Sequence, residues 1–147
     1  MKRLIKVITV FILSIFVVTG CNKTISVTYN VQTGDKVEVV LNTKENYKLT
    51  TDVPFKINRG DDLVTIGQFL TEDGYQYYVS AIATDPKVSD KREDKKDDHT
   101  YVYWTYDNRS YEYLIYLKDS KTAVLLVTDT TKEDADKVFD MLQFNLK

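Results

Sequence analysis

Residues 25–31 read Ile-Ser-Val-Thr-Tyr-Asn-Val, apolar and polar in strict turn. A side-chain period of two is the mark of a strand with one face buried and the other in water. Gln32-Thr33-Gly34-Asp35 then supplies turn residues, and Val37, Val39 and Leu41 resume the alternation, which makes a first hairpin. The same pattern recurs along the chain. Residues 47–49 and 55–57 read as short strands around Pro54, which marks an edge or a bend. Residues 63–70 and 75–83 read as two strands flanking Thr71-Glu72-Asp73-Gly74, with Gly74 giving the positive φ of a tight hairpin. Residues 101–106, 111–117 and 122–128 form a meander with polar turns at 107–110 and 118–121. Its last strand carries Ala123, Val124, Leu125, Leu126 and Val127 without a break, apolar on both faces, and must be central and covered from both sides.

Near the C-terminus the period changes. Ala135, Val138, Phe139 and Leu142 fall at i, i+3, i+4 and i+7, one face of a helix. Thr130 or Thr131 can cap it, and Glu133 and Asp134 suit the positive end of its dipole. The expected fold class is α+β: an antiparallel β-sheet of about six to eight strands, built from hairpins and a meander, with one C-terminal helix packed on one face. A β-sandwich with an appended helix is the alternative. The terminal hairpin, the Thr-capped acidic helix and the Leu-Gln-Phe tail are similar to PsbP/Mog1-like domains, over roughly the last 40 residues. The likeness includes no catalytic motif and implies fold only.

The first 21 residues follow another logic. Lys2, Arg3 and Lys6 precede the apolar run Val7–Val18, broken only by Thr9 and Ser14, and small residues follow. This is the layout of a secretory signal peptide. Twelve residues of helix reach about 18 Å, short of the roughly 30 Å of a bilayer core. Val18-Thr19-Gly20-Cys21 resembles the lipobox of bacterial lipoproteins, with Val18 in place of the commoner Leu. That resemblance implies cleavage before Cys21 and a diacylglycerol on its sulfur, a reaction suited to a thiolate. Two acyl chains give the stable anchor that one chain does not. The expected organisation is therefore a signal peptide at 1–20, a lipidated Cys21 with a short tether to residue 24, and one domain at 25–147 on the outer face of a bacterial membrane.

Composition narrows the function by exclusion. Without Lys2, Arg3 and Lys6 the chain keeps 17 basic and 22 acidic residues, a net charge of −5. Such a domain is not built to bind nucleic acid. Cys21 is the only cysteine, so packing rather than disulfides must hold the fold. His99 is the only histidine, no Gly-x-Ser-x-Gly elbow accompanies it, and no Gly-rich phosphate loop exists. A solvated or capping role is expected for it. The acidic groups of residues 90–98 lack the Asp-x-Asp-x-Asp-Gly spacing of a calcium loop and are interleaved with Lys91, Arg92, Lys95 and Lys96. Residues 84–98 read as a mobile charged loop. No metal, no cofactor and no catalytic residue is nominated.

What remains is aromatic. Nine of the 11 tyrosines lie between Tyr75 and Tyr116, together with the single Trp104. Tyr101 and Tyr103 share a face of one strand and Tyr111 and Tyr113 a face of the next, with Val102, Trp104 and Tyr106 on the opposite side of the first. Tyr101, Tyr103, Tyr111 and Tyr113 are the candidate binding residues, expected to face away from the helix and meet an envelope protein or a glycan. Cross-strand aromatic pairing that stabilises the sheet is the competing explanation. The expected function is a lipid-anchored, non-catalytic binding or assembly module. A small envelope hydrolase using carboxylates and a structural envelope protein are the alternatives. Intact-mass measurement of the native protein should show a chain beginning at Cys21 and carrying a diacylglycerol. Cys21→Ser should release the domain or stall processing, and an unchanged mass with full membrane retention would refute the lipobox.

Overall fold

A computed structural model describes residues 23–147; Cys21, the lipobox and the signal peptide lie outside them. Ten strands and two helices follow in the order β1 (Lys23–Asn30), β2 (Lys36–Thr43), β3 (Tyr47–Leu49), β4 (Phe55–Arg59), β5 (Asp62–Leu70), α1 (Glu72–Thr84), β6 (Val88–Lys96), β7 (His99–Tyr106), β8 (Ser110–Tyr116), β9 (Ala123–Thr128), α2 (Lys132–Met141) and β10 (Leu142–Leu146). They form a three-stranded sheet, β1-β2-β10, and a seven-stranded sheet, β3-β4-β5-β9-β8-β7-β6. Every pairing is antiparallel. The expected antiparallel, β-rich α+β fold is what the chain adopts, with a second helix. β1 begins at Lys23, so the expected tether is shorter by two residues.

The large sheet is covered on both faces, as the apolar β9 requires. Val124 and Leu126 join Tyr103, Tyr113 and Ile115 in a core closed by the small sheet (Val37, Val39, Leu41, Phe144) and by Ala135, Val138 and Phe139 of α2. On the other face, Leu125 and Ala123 join Trp104, Leu114 and Leu70 beneath Ile82 of α1.

Two expectations are corrected. Residues 75–83 are helix, not strand. Thr71 accepts from Gly74 N–H at 3.2 Å as the N-cap, and Glu72 and Asp73 fill the first turn. Tyr75, Tyr78, Val79 and Ile82 recur at i, i+3, i+4 and i+7 and pack toward the sheet. What resembled a hairpin turn, Thr71–Gly74, is a helix start. The helix ends as Asp85 N–H bonds Ala81 O at 2.9 Å, just before Pro86, whose ring disfavours a helical residue ahead of it.

The second correction concerns residues 84–98, which are not a loop. Val88–Lys96 is β6, an edge strand of the large sheet, paired with β7 from Val88↔Tyr106 to Lys96↔His99. Asp97 and Asp98 make the two-residue turn with φ of 50° and 67°, a conformation Asp tolerates better than most residues. Its charges explain the missing apolar signal: an edge strand rich in Lys and Asp resists pairing with other chains. Lys96 donates to the carbonyls of Phe139 and, at 2.8 Å, Leu142, so β6 also caps the C-terminus of α2.

The junction of β4 and β5 is closely packed. Phe55 lies opposite Gly67, and a Cβ on Gly67 would sit 2.0 Å from the Phe55 ring. That ring is held by Tyr29 and Phe69, with centroids at 5.6 and 5.4 Å. Gly67→Ala should therefore cost about 1–3 kcal/mol, the usual penalty for overpacking a filled core. Chemical denaturation measures it, and a neutral result would show that the aromatic cluster yields.

Candidate aromatic cleft

The structure divides the tyrosines between the two faces of the large sheet. Tyr101, Tyr103, Tyr111 and Tyr113 all point toward α2, not away from it as expected. The Tyr113 ring stacks on Phe139 with centroids 4.0 Å apart and planes within 9°. Tyr101 meets Phe139 edge-on at 4.7 Å. Tyr103 and Tyr113 are only 1% and 6% exposed, so they are core and not an open platform. With only one helix expected, one face of the sheet had to stay open, and placing that helix on the Trp104 face left the tyrosine face uncovered; α2 in fact packs on the tyrosine face.

A cleft of ≈ 600 Å³ does run beside α2, and Tyr101, Tyr103 and Tyr113 line it while Tyr111 does not. Many of its polar groups already have partners within the protein. The Arg92 guanidinium lies over the Tyr103 ring at 4.5 Å. Tyr113 OH donates to Asp136 Oδ1 at 2.6 Å, and Lys132 pairs with the other oxygen of that carboxylate. Burial, with the Asp136 hydrogen bond adding, pushes the Tyr113 phenol well above its ordinary range, so it stays a donor. Lys132 and Tyr113 thus satisfy the Asp136 carboxylate, and Arg92 rests on the Tyr103 ring.

His99 is also structural. Lys118 N–H donates to its Nδ1 at 3.0 Å, so the proton sits on Nε2, which donates to Phe144 O at 3.0 Å. The imidazole ties β7 to the β8–β9 turn and to β10. Among the described residues no group of three or more His, Cys, Asp or Glu side chains is placed to hold a metal ion.

The opposite face differs. A second cleft, of ≈ 330 Å³, opens between α1 and the large sheet. α1 supplies Tyr77, Tyr78, Ala81 and Ile82 to its wall, and β7 supplies Trp104 and Tyr106. Tyr77 is 70% exposed, and its ring meets Tyr78 edge-to-face at 5.7 Å. On the sheet, register sets Trp104 opposite Glu112, and Glu112 opposite Val127. Leu114, the next residue of β8 on that face, is fully buried. Glu112 is therefore one half-buried carboxylate in an otherwise apolar row.

Its electrostatics follow from that position. Ser110 Oγ donates to Glu112 Oε1 at 2.8 Å. Among the described residues, no Lys or Arg nitrogen forms an ion pair with Glu112. Burial raises its pKa above the ordinary carboxylate value, the Ser110 hydrogen bond opposes that, and the charge of Asp129 adds to it. The field reaches the cleft wall: burial and then the Glu112 charge push the Tyr78 phenol upward. Sequence reasoning missed Glu112. A signal existed, since the hairpin turn at 107–109 fixes the register that places it beside Trp104, but with residues 75–83 expected to be strand the helix that walls the cleft was missing from the expectation.

Comparison with family models, curated proteins and solved structures yields no match for this chain.

Because the folded-state pKa of Glu112 lies above that of the unfolded chain, the fold binds its proton more readily. Stability then falls as pH rises above the unfolded carboxylate value and through the folded one. Glu112→Gln should thus raise the Tm at pH 7. The advantage should vanish at about pH 3, below the ordinary Glu value, where Glu112 is neutral in both states. Glu93→Gln, on the exposed edge strand, should do less. A destabilised Glu112→Gln at pH 7 would mean the carboxylate is paired in solution.

Proposed function

We propose that the protein is a lipid-anchored, extracytoplasmic binding module that holds a small ligand in the cleft between α1 and the large sheet. The observation that carries this is Glu112: a carboxylate kept in an apolar, aromatic-walled cleft without a cationic partner. A residue that breaks the local packing rule, in a concave site, with a perturbed pKa, is the kind of feature that binding sites retain at the expense of stability. The volume is at the lower end for small-molecule sites.

Anchoring rests on the charged, apolar and small residues ending at Cys21. Among the described residues no helix is long and apolar enough to cross a membrane. β1 starts two residues after Cys21, so a lipid there would hold the small sheet close to the bilayer. The enzymatic alternative would need a second free carboxylate facing Glu112. Asp85, at the C-cap of α1, also lines the cleft, and its Oδ1 accepts from Lys87 N–H at 2.9 Å.

The test uses the full native protein in a maltoside detergent and a panel of neutral, anionic and cationic fragments. Trp104 is the only tryptophan of the chain and lines this cleft, so its emission reports occupancy. Some members should bind saturably with a change in Trp104 fluorescence, and Ala81→Phe, which fills the cleft, should abolish it. No binding from any charge class, or binding that Arg92→Ala removes and Ala81→Phe does not, would overturn the assignment.

A further inference from the structure

We infer that the ligand of the α1 cleft is a small quaternary ammonium compound, with its methylated nitrogen among the rings of Tyr77, Tyr78 and Tyr106 and with Glu112 as counter-charge. The inference rests on the binding reading above and specifies its chemistry.

Charge comes first. Glu112 and Asp85 line the cleft, and Asp129 acts on Glu112 from nearby. An anion would meet carboxylates with no Lys or Arg among the lining residues. A neutral apolar ligand would strip water from Glu112 and give nothing in return, a cost a buried carboxylate makes large. A cation supplies the missing partner.

The walls favour a cation that needs no hydrogen bonds. Aromatic rings attract ammonium groups through their negative faces, and aromatic walls are the usual recognition device for quaternary nitrogen. The protein already shows the contact: the Lys87 ammonium stands 5.8 Å from the centroid of the Tyr106 ring. A primary ammonium brings three donors that must be met. Here Glu112 Oε1 is engaged by Ser110 and Asp85 Oδ1 by Lys87 N–H, which thins the supply of carboxylate acceptors. Methyl groups on nitrogen remove that demand and add apolar area against Ile82, Leu125 and Val127.

In the α2 cleft, Arg92 stands over Tyr103 and Lys96 stands 4.5 Å from the Phe139 ring centroid. In the α1 cleft Lys87 approaches Tyr106, whereas among the described residues no Lys or Arg of the chain stands over Tyr77 or Tyr78.

Calorimetry on the full native protein in dodecyl maltoside, which carries no ammonium group, tests the inference with three probes of similar size. Choline should bind saturably and change Trp104 emission. Its uncharged isostere 3,3-dimethyl-1-butanol should bind about tenfold more weakly or worse, the ratio expected of roughly 1.4 kcal/mol from charge and ring faces. Ethanolamine, a primary ammonium, should bind more weakly than choline. Glu112→Gln should erase the preference for choline over the isostere, and Tyr77→Ala, at an exposed position, should weaken choline without loss of Tm. An isostere that binds as well as choline would overturn the cation while leaving the cleft a binding site. Tighter binding of ethanolamine would overturn the quaternary nitrogen. A fragment panel that binds in the cleft while choline does not would overturn the inference alone, and an inert cleft would overturn both readings.

Discussion

The constraint on which the rest depends is β9. Ala123, Val124, Leu125 and Leu126 are all buried, so the strand must have apolar cover on both faces and lie inside the large sheet. Seven strands at about 4.8 Å spacing make a sheet roughly 29 Å wide, whereas one helix with its side chains is about 10 Å across. On one face, α2 and a three-stranded sheet share the covering. On the other, α1 works alone. The uneven cover leaves Val102, Tyr106 and Val127 only partly buried and opens a cleft beside the helix. The candidate site is thus a direct consequence of layer arithmetic.

Polar chemistry separates the two faces in the same way. Toward α2, acids and bases satisfy one another: Arg59 pairs with Asp134 at 2.8 Å, Tyr113 with Asp136, and Lys96 with the helix carbonyls. At the far end, Asp35 Oδ2 accepts from Thr122 Oγ1 at 2.7 Å and from Lys121 N–H at 3.0 Å, which joins the first hairpin to the β8–β9 turn. These hydrogen bonds lower the Asp35 pKa, with Thr122 the largest cause, so the carboxylate is held in its charged form. Toward α1, Glu112 has the Ser110 hydroxyl and no cation. A carboxylate left half-met in an apolar cleft is a local conflict, and such conflicts concentrate where function outweighs stability.

What was legible in the sequence follows the strength of its periodicity. The first hairpin, the β7–β8–β9 meander and the C-terminal helix were readable because each buries one face and solvates the other. The stripe Ala135, Val138, Phe139 and Leu142 is buried as expected, although Leu142 already begins β10. α1 was not legible as a helix because Thr71–Gly74 carries both turn residues and a cap, and the Tyr-rich stretch after it has high β-propensity. Tertiary cover decided the matter: β5 pairs with β9 inside the sheet and β6 lies at its far edge, so the segment joining β5 to β6 crosses the sheet and covers its face as a helix. β6 was invisible for the opposite reason, since an edge strand with charged side chains has no apolar period to read. The four tyrosines were placed correctly on their strands and wrongly on their face. A period of two says which residues go together but not which layer they meet.

The two proposals constrain each other through geometry. The small sheet and α1 lie on opposite faces of the large sheet. A lipid on Cys21 would attach beside β1, in the small sheet. The anchored end and the cleft are then separated by the thickness of the large sheet and the layers on it, each about 10 Å. Tyr77 lies at the open rim of the cleft, on the α1 face of the large sheet. The short link after Cys21 makes this separation matter. A long tether would let the domain tumble and present any face outward, whereas two residues reach only about 7 Å and would keep β1 near a lipid on Cys21.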